Sequence, residues 1–160
     1  MPSTPPSIAS TRVALRSVLA LAALAAVQPA WAALGAPQAS IQADTQRMKA
    51  AAPRVQAGGG YTVHELQDAT GGFVRQYVSP AGVVFAVTWR GPFKPDLQQL
   101  LGSYFGAYAN APRSPGSDRN HLAIDTDALV VRAGGHQRGF FGSAWAPALV
   151  PAGVDPAVLP

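Results

Sequence analysis

The sequence predicts a small α+β domain: an antiparallel sheet of about five strands packed by one amphipathic helix, with a short N-terminal helix. Three observations carry that reading. Hydrophobicity alternates at period two in three successive runs between Tyr61 and Arg90, joined by turn-forming residues. Directly afterwards Leu97, Leu100, Leu101, Tyr104, Phe105 and Tyr108 recur at the spacing of a single helical stripe. The 160-residue chain has no cysteine, so it must stand on a hydrophobic core, which a content of 48% hydrophobic residues can build.

Residues 1–32 have the form of a secretory signal peptide. Arg12 and Arg16 are the only charges before Asp44, an apolar run spans Ser17 to Val27, and Ala30 and Ala32 supply a small-residue cleavage site. The apolar run is too short for a membrane span, which needs about twenty residues, so no transmembrane span is expected after cleavage. Cleavage after Ala32 removes 32 of 160 residues and leaves 128, beginning ALGAPQAS, in a periplasmic or secreted setting. Ten Lys and Arg then face eight Asp and Glu. These charges are scattered, with no basic run that tracks a phosphate backbone, which excludes nucleic acid as a partner.

Residues 33–60 read as a short helix and a glycine-rich hinge. The helix is expected over Ser40–Ala52, with Ser40 as N-cap, Asp44 early and Arg47 and Lys49 late, as the helix dipole prefers. Pro53 to Gly60 supplies the hinge. A single domain is expected over 61–145. Its first strands are Tyr61–Gln67, Gly72–Ser79 and Gly82–Arg90, a meander whose second turn uses Pro80 and a positive φ at Gly82. In the third strand Val83, Phe85, Val87 and Trp89 fall on one face, and Val84, Ala86, Thr88 and Arg90 on the other.

The helix that follows opens at Pro95 and Asp96, and burial of its six stripe residues is worth on the order of 10 kcal/mol before entropy. Asn110–Asn120 is an exposed loop by its Pro, Ser and Gly content. Two further strands are expected to turn at Gly134–Gly135, with Val131 opposite Arg138 and Leu129 opposite Phe140. Four prolines between Pro147 and Pro160 make 146–160 an extended, polyproline-like tail.

Little in the chain spells out chemistry. The histidines, His64, His121 and His136, have no metal-binding spacing, although His121, Asp125 and Asp127 share one face of an extended segment. His64 and Glu65 point to opposite faces of a strand and cannot act as a pair. Ser143 lacks the G-x-S-x-G elbow of a hydrolase nucleophile, and Ser103 lies opposite the helix stripe. Glu65 is the only glutamate, so paired carboxylates for glycoside chemistry are not evident. No glycine-rich segment has the context of a phosphate loop. The reading therefore names no catalytic residue, cofactor or metal. Gly102, Ser103 and Gly106 form a small-residue face on the helix, where a second backbone could approach, and they are the candidate partner-contact residues.

The chain also resembles a family of exported bacterial proteins catalogued only as a domain of unknown function. The likeness is carried by Ala33-Leu34-Gly35, Tyr77-Val78-Ser79-Pro80, Gly82, Phe85-Ala86-Val87, Trp89, Gly91-Pro92, Pro95-Asp96-Leu97 and Leu101-Gly102. It covers most of the mature chain and implies a Gram-negative periplasm or exterior, with no catalytic residue, cofactor or partner to transfer. The expected function is a non-enzymatic binding or accessory module for a protein or envelope component. The alternative is a small periplasmic hydrolase or cation-dependent enzyme assembled from His121, Asp125 and Ser143.

Overall fold

The three alternating runs form strands, and four more join them in one antiparallel sheet. A computed structural model describes residues 34–118 and 120–159, and the segment 1–32, read above as a signal peptide, lies outside the described residues. The strands are β1 (Arg54–Ala57), β2 (Thr62–Gln67), β3 (Phe73–Val78), β4 (Val84–Gly91), β5 (His121–Asp125), β6 (Val130–His136) and β7 (Gly139–Trp145). Their order across the sheet is β1-β2-β3-β4-β7-β6-β5. Two meanders, β1 to β4 and β5 to β7, thus join where β7 pairs with β4.

The sheet has seven strands where about five were expected. The two added strands are the edges, β1 and β5, and β1 occupies the segment read as a hinge. All four of its residues are exposed, so no buried face imprinted alternation on the sequence, and its pairing comes from the free edge of β2. The opposite edge is closed by the loop after the helices, where Ser114 and Asp118 donate backbone N–H groups to Ala123 and His121.

The helix is interrupted. It runs as α2 (Leu97–Leu101), a 3-10 turn (Gly102–Tyr104) and α3 (Phe105–Asn110). Asp96 is the N-cap and accepts from the Gln99 N–H. Gly102 breaks the helix, with φ 49° and ψ −118°, a conformation that side chains with a Cβ avoid. The stripe is buried all the same: Leu100 and Leu101 are inaccessible, and Tyr104, Phe105 and Tyr108 pack on the same core.

The N-terminal helix α1 (Ile41–Arg47) is shorter than expected and follows a 3-10 turn over Gln38–Ser40. Ser40 does not cap it: its hydroxyl donates to the Pro37 carbonyl. Ahead of α1, the segment from Leu34 is sewn into the fold. The Leu34 N–H donates to Leu100 O, and Gly35 and Ala36 exchange backbone bonds with Val84.

Two cores result. One lies between the helices and the sheet and contains Leu66, Val74, Val87, Trp89, Val131 and Leu101. The other, on the opposite face, is centred on Tyr77, Phe85 and Ala86. A bulge where β3 pairs with β4 breaks the simple alternation expected there. Val84 joins the helix-side core, and Phe85 joins Tyr77 on the other face.

The β6–β7 hairpin turns at Gln137–Arg138 rather than at the glycine pair, so Val131 faces Ala144 and Gly135 faces Phe140. Leu129 precedes β6 and does not face Phe140. The glycines serve packing instead. A Cβ on Gly134 would stand 2.9 Å from the Phe141 ring, and one on Gly135 would stand 2.5 Å from the Gly139 carbonyl oxygen. Arg138 takes the positive φ, 63°. The C-terminal tail is extended but punctuated by 3-10 turns at Pro147–Leu149 and Pro156–Val158. Val150, Val154 and Leu159 cover the Tyr77 core.

Candidate functional site

The tail covers only part of its face of the sheet. Beside it, cross-strand pairing lines up two rows of side chains that helices do not cover. Residues directly opposite on antiparallel strands share a face, about 5 Å apart. The first row is Glu65, Arg75, Thr88, Ser143 and Arg132. The second is Phe73, Arg90, Phe141, Gly134 and His121. All of these except Gly134 line an open concavity of ≈ 860 Å³, with Leu159 of the tail at one side. Phe73, Arg90 and Phe141 also border a second hollow of ≈ 710 Å³, which reaches Arg138 and His136 at the strand ends.

Most charges on this face are paired. Arg75 Nε donates to Glu65 Oε2 at 2.7 Å, and this bond holds the guanidinium proton still more firmly than usual. Arg132 donates to Asp125 Oδ2 at 2.7 Å and to the Ile124 carbonyl. Arg90 has no acidic partner among the described residues and is exposed. Its neighbours in the row, Phe73 and Phe141, are 39% and 51% accessible, a notable exposure for phenyl rings. Thr88 is held toward the covered core by contact with the Tyr77 hydroxyl at 3.4 Å.

His121 and Ser143 both line the concavity, so the structure does gather two groups of the hydrolase alternative. Their register keeps them apart. They lie two strands and two residues from each other, roughly 12 Å between Cα atoms, far beyond the reach of a nucleophile–base hydrogen bond. His121 Nδ1 instead faces Asp118 Oδ1 at 3.3 Å. The Asp118 carboxyl is held below its usual range by the N–H groups of Asn120 and His121. Asp125 is bound to Arg132, and Asp127 lies beyond the end of β5. Among the described residues no three His, Asp or Glu side chains come together as a metal site.

His64 and Glu65 do point to opposite faces. His64 is buried on the helix side against the Gln38 amide, and burial lowers its pKa. Of the small-residue face, Gly102 has the backbone reason given above. Ser103 and Gly106 are exposed, and a Cβ on Gly106 would meet nothing within 4 Å. Sequence reasoning did not single out Arg90, Phe73 and Phe141 as a site. Phe73 and Arg90 lie on neighbouring predicted strands, but nothing local tells that β7 docks beside β4 and delivers Phe141.

A family model described as a protein of unknown function (DUF2844) matches residues 30–159. The chain belongs to the DUF2844 family. The match takes in every described element, from the Leu34 segment through the tail that walls the concavity. No curated protein and no solved structure matches the chain. Among the described residues of this DUF2844 protein, no helix is long and apolar enough to cross a membrane.

Proposed function

We propose that this DUF2844 protein is an exported, non-enzymatic binding module, and that the open face of its sheet receives the ligand. The observation that carries the reading is Arg90, exposed and without an acidic partner among the described residues, between two accessible phenyl rings at the mouth of the concavity. At 39% and 51% accessibility these rings forgo roughly half of the 1.5–3 kcal/mol that full burial of each is worth, a cost that a ligand or partner recovers. Export rests on the basic, apolar and small-residue order of the first 32 residues.

The binding role is tested by ¹⁵N–¹H NMR titration of the mature chain with small aromatic fragments. Amide shifts concentrated on β3, β4 and β7 around Arg90 are the expected result; fragments that shift no amides on this face overturn it. The hydrolase alternative is tested separately, with 4-nitrophenyl acetate. Turnover equal in the wild type, Ser143→Ala and His121→Ala is expected, and a loss in both variants would favour the enzyme.

A further inference from the structure

Two properties of the open face narrow what can bind there. The first is charge. The two adjoining hollows are bordered by Arg75, Arg90, Arg132 and Arg138, and Glu65 is the one acidic residue among their lining side chains. Glu65 is bonded to Arg75, and Asp125 neutralises Arg132 from the edge. Arg90 and Arg138 therefore remain uncompensated among the described residues. A guanidinium offers paired N–H donors in a plane that matches a carboxylate, sulfonate or phosphate.

The second property is shape. Phe73 and Phe141 stand one strand to either side of Arg90, so an anion on that guanidinium carries the rest of its molecule against a phenyl ring. The Ser143 hydroxyl lies in the next row, about 7 Å from Phe141 along β7, within the span of a one- or two-ring molecule. The hollow of ≈ 860 Å³ is of the size that small-molecule sites have.

We infer that the face takes a small organic anion bearing a flat apolar ring, with its charged group on Arg90 and its ring against Phe73 or Phe141. This rests on the binding-face reading and adds the class of ligand. A bare inorganic anion would use Arg90 and leave both rings wet. An uncharged aromatic would cover a ring and leave the cation unanswered.

The experiment uses three probes of one shape on the mature chain, followed by NMR: 2-naphthoate, 2-naphthalenemethanol and 2-naphthylmethylamine, with inorganic phosphate as a fourth arm. The naphthoate is expected to shift amides around Phe73, Arg90 and Phe141 and to bind at least tenfold more tightly than the others. Arg90→Gln should weaken naphthoate at least tenfold and leave the alcohol unchanged, whereas Phe141→Ala should weaken both. Both side chains are exposed, so unchanged melting temperatures should certify the fold. Equal binding of the alcohol or amine at this face overturns the anionic class and leaves the binding face standing. Phosphate as strong as naphthoate overturns the aromatic half. Shifts elsewhere, or none from any probe, overturn both readings.

Discussion

Asp44 carries its carboxylate into the seam between α1, β3 and α2, where Gln76 and Gln99 donate amide hydrogens to its two oxygens at 2.7 and 3.0 Å. Burial raises its pKa from the ordinary 3.8, against the opposing effect of those two bonds and of Arg47. A raised pKa means that the folded chain holds the proton more tightly than the unfolded one. The stability so gained is full below pH 3.8 and is lost as pH rises through the folded value. His64 acts in the other sense. Burial lowers its pKa from 6.5, so its contribution is present above pH 6.5 and is lost as pH falls through the folded value. Above pH 3.8 Asp44 takes stability away as pH rises while His64 adds it, so thermal melts should show stability rising more steeply with pH in Asp44→Asn than in the wild type; an unchanged slope would remove Asp44 from the account. Asp44→Ala leaves both amides without their acceptor and should cost about 1–3 kcal/mol in a denaturant titration. Sequence reasoning put Asp44 at the start of a helix for the sake of the dipole. Its larger role depends on partners 32 and 55 residues along the chain, which no local pattern reveals.

At the scale of elements, what was legible was what is written locally. The runs that became β2 and the first part of β3 bury one face in the helix-side core, and burial of one face imposes period two, whereas residues 84–87 of β4 are buried on both faces. The leucine stripe fixed the orientation of α2 for the same reason. Leu101 is inaccessible and Gln98 exposed, so Leu101→Asp should unfold the domain, while Gln98→Asp should stay within about 0.5 kcal/mol of wild type by thermal melting. The interruption was not legible, because Gly102 reads equally well as a tolerated glycine in a continuous helix. At φ 49° and ψ −118°, Gly102→Ala should cost about 1–3 kcal/mol. Gly106→Leu is its counterpart: no neighbour crowds the site, and leucine is the better helix former, so the melting temperature should hold or rise. Crosslinking of that variant in the native host then asks whether the Gly102, Ser103 and Gly106 face meets a partner, and crosslinks identical to wild type would say that it does not. The glycine pair misled for a physical reason. Gly134 and Gly135 yield space to Phe141 and Phe140 across β7, and in sequence a glycine that makes room looks the same as one that turns.

For the whole molecule, the open face exists because two meanders join at β4 and β7 while the tail covers only one end of the sheet, and topology of that kind is not recorded in any single segment. The N-terminal boundary is different, since sequence and fold bear on it independently. The signal-peptide pattern puts cleavage after Ala32. At the start of the described residues the fold already depends on Leu34: it is 1% accessible, its N–H is bonded to Leu100, and Gly35 donates to Val84. A Cβ on Gly35, at φ 84°, would stand 2.8 Å from the Tyr104 ring, so this glycine is fitted to the helix it lies against. Processing after Ala32 therefore leaves the leucine anchor whole, whereas processing after Gly35 would empty its site and cost about 2–5 kcal/mol, as other large core deletions do. Intact-mass analysis of protein from the native host should give a chain that starts at Ala33; a full-length mass in the membrane fraction would overturn export with cleavage. A chain made to start at Ala36 should melt well below one that starts at Ala33. Equal melting temperatures would mean that the Leu34 segment adorns the fold without holding it, and the cleavage site would then be free to lie elsewhere.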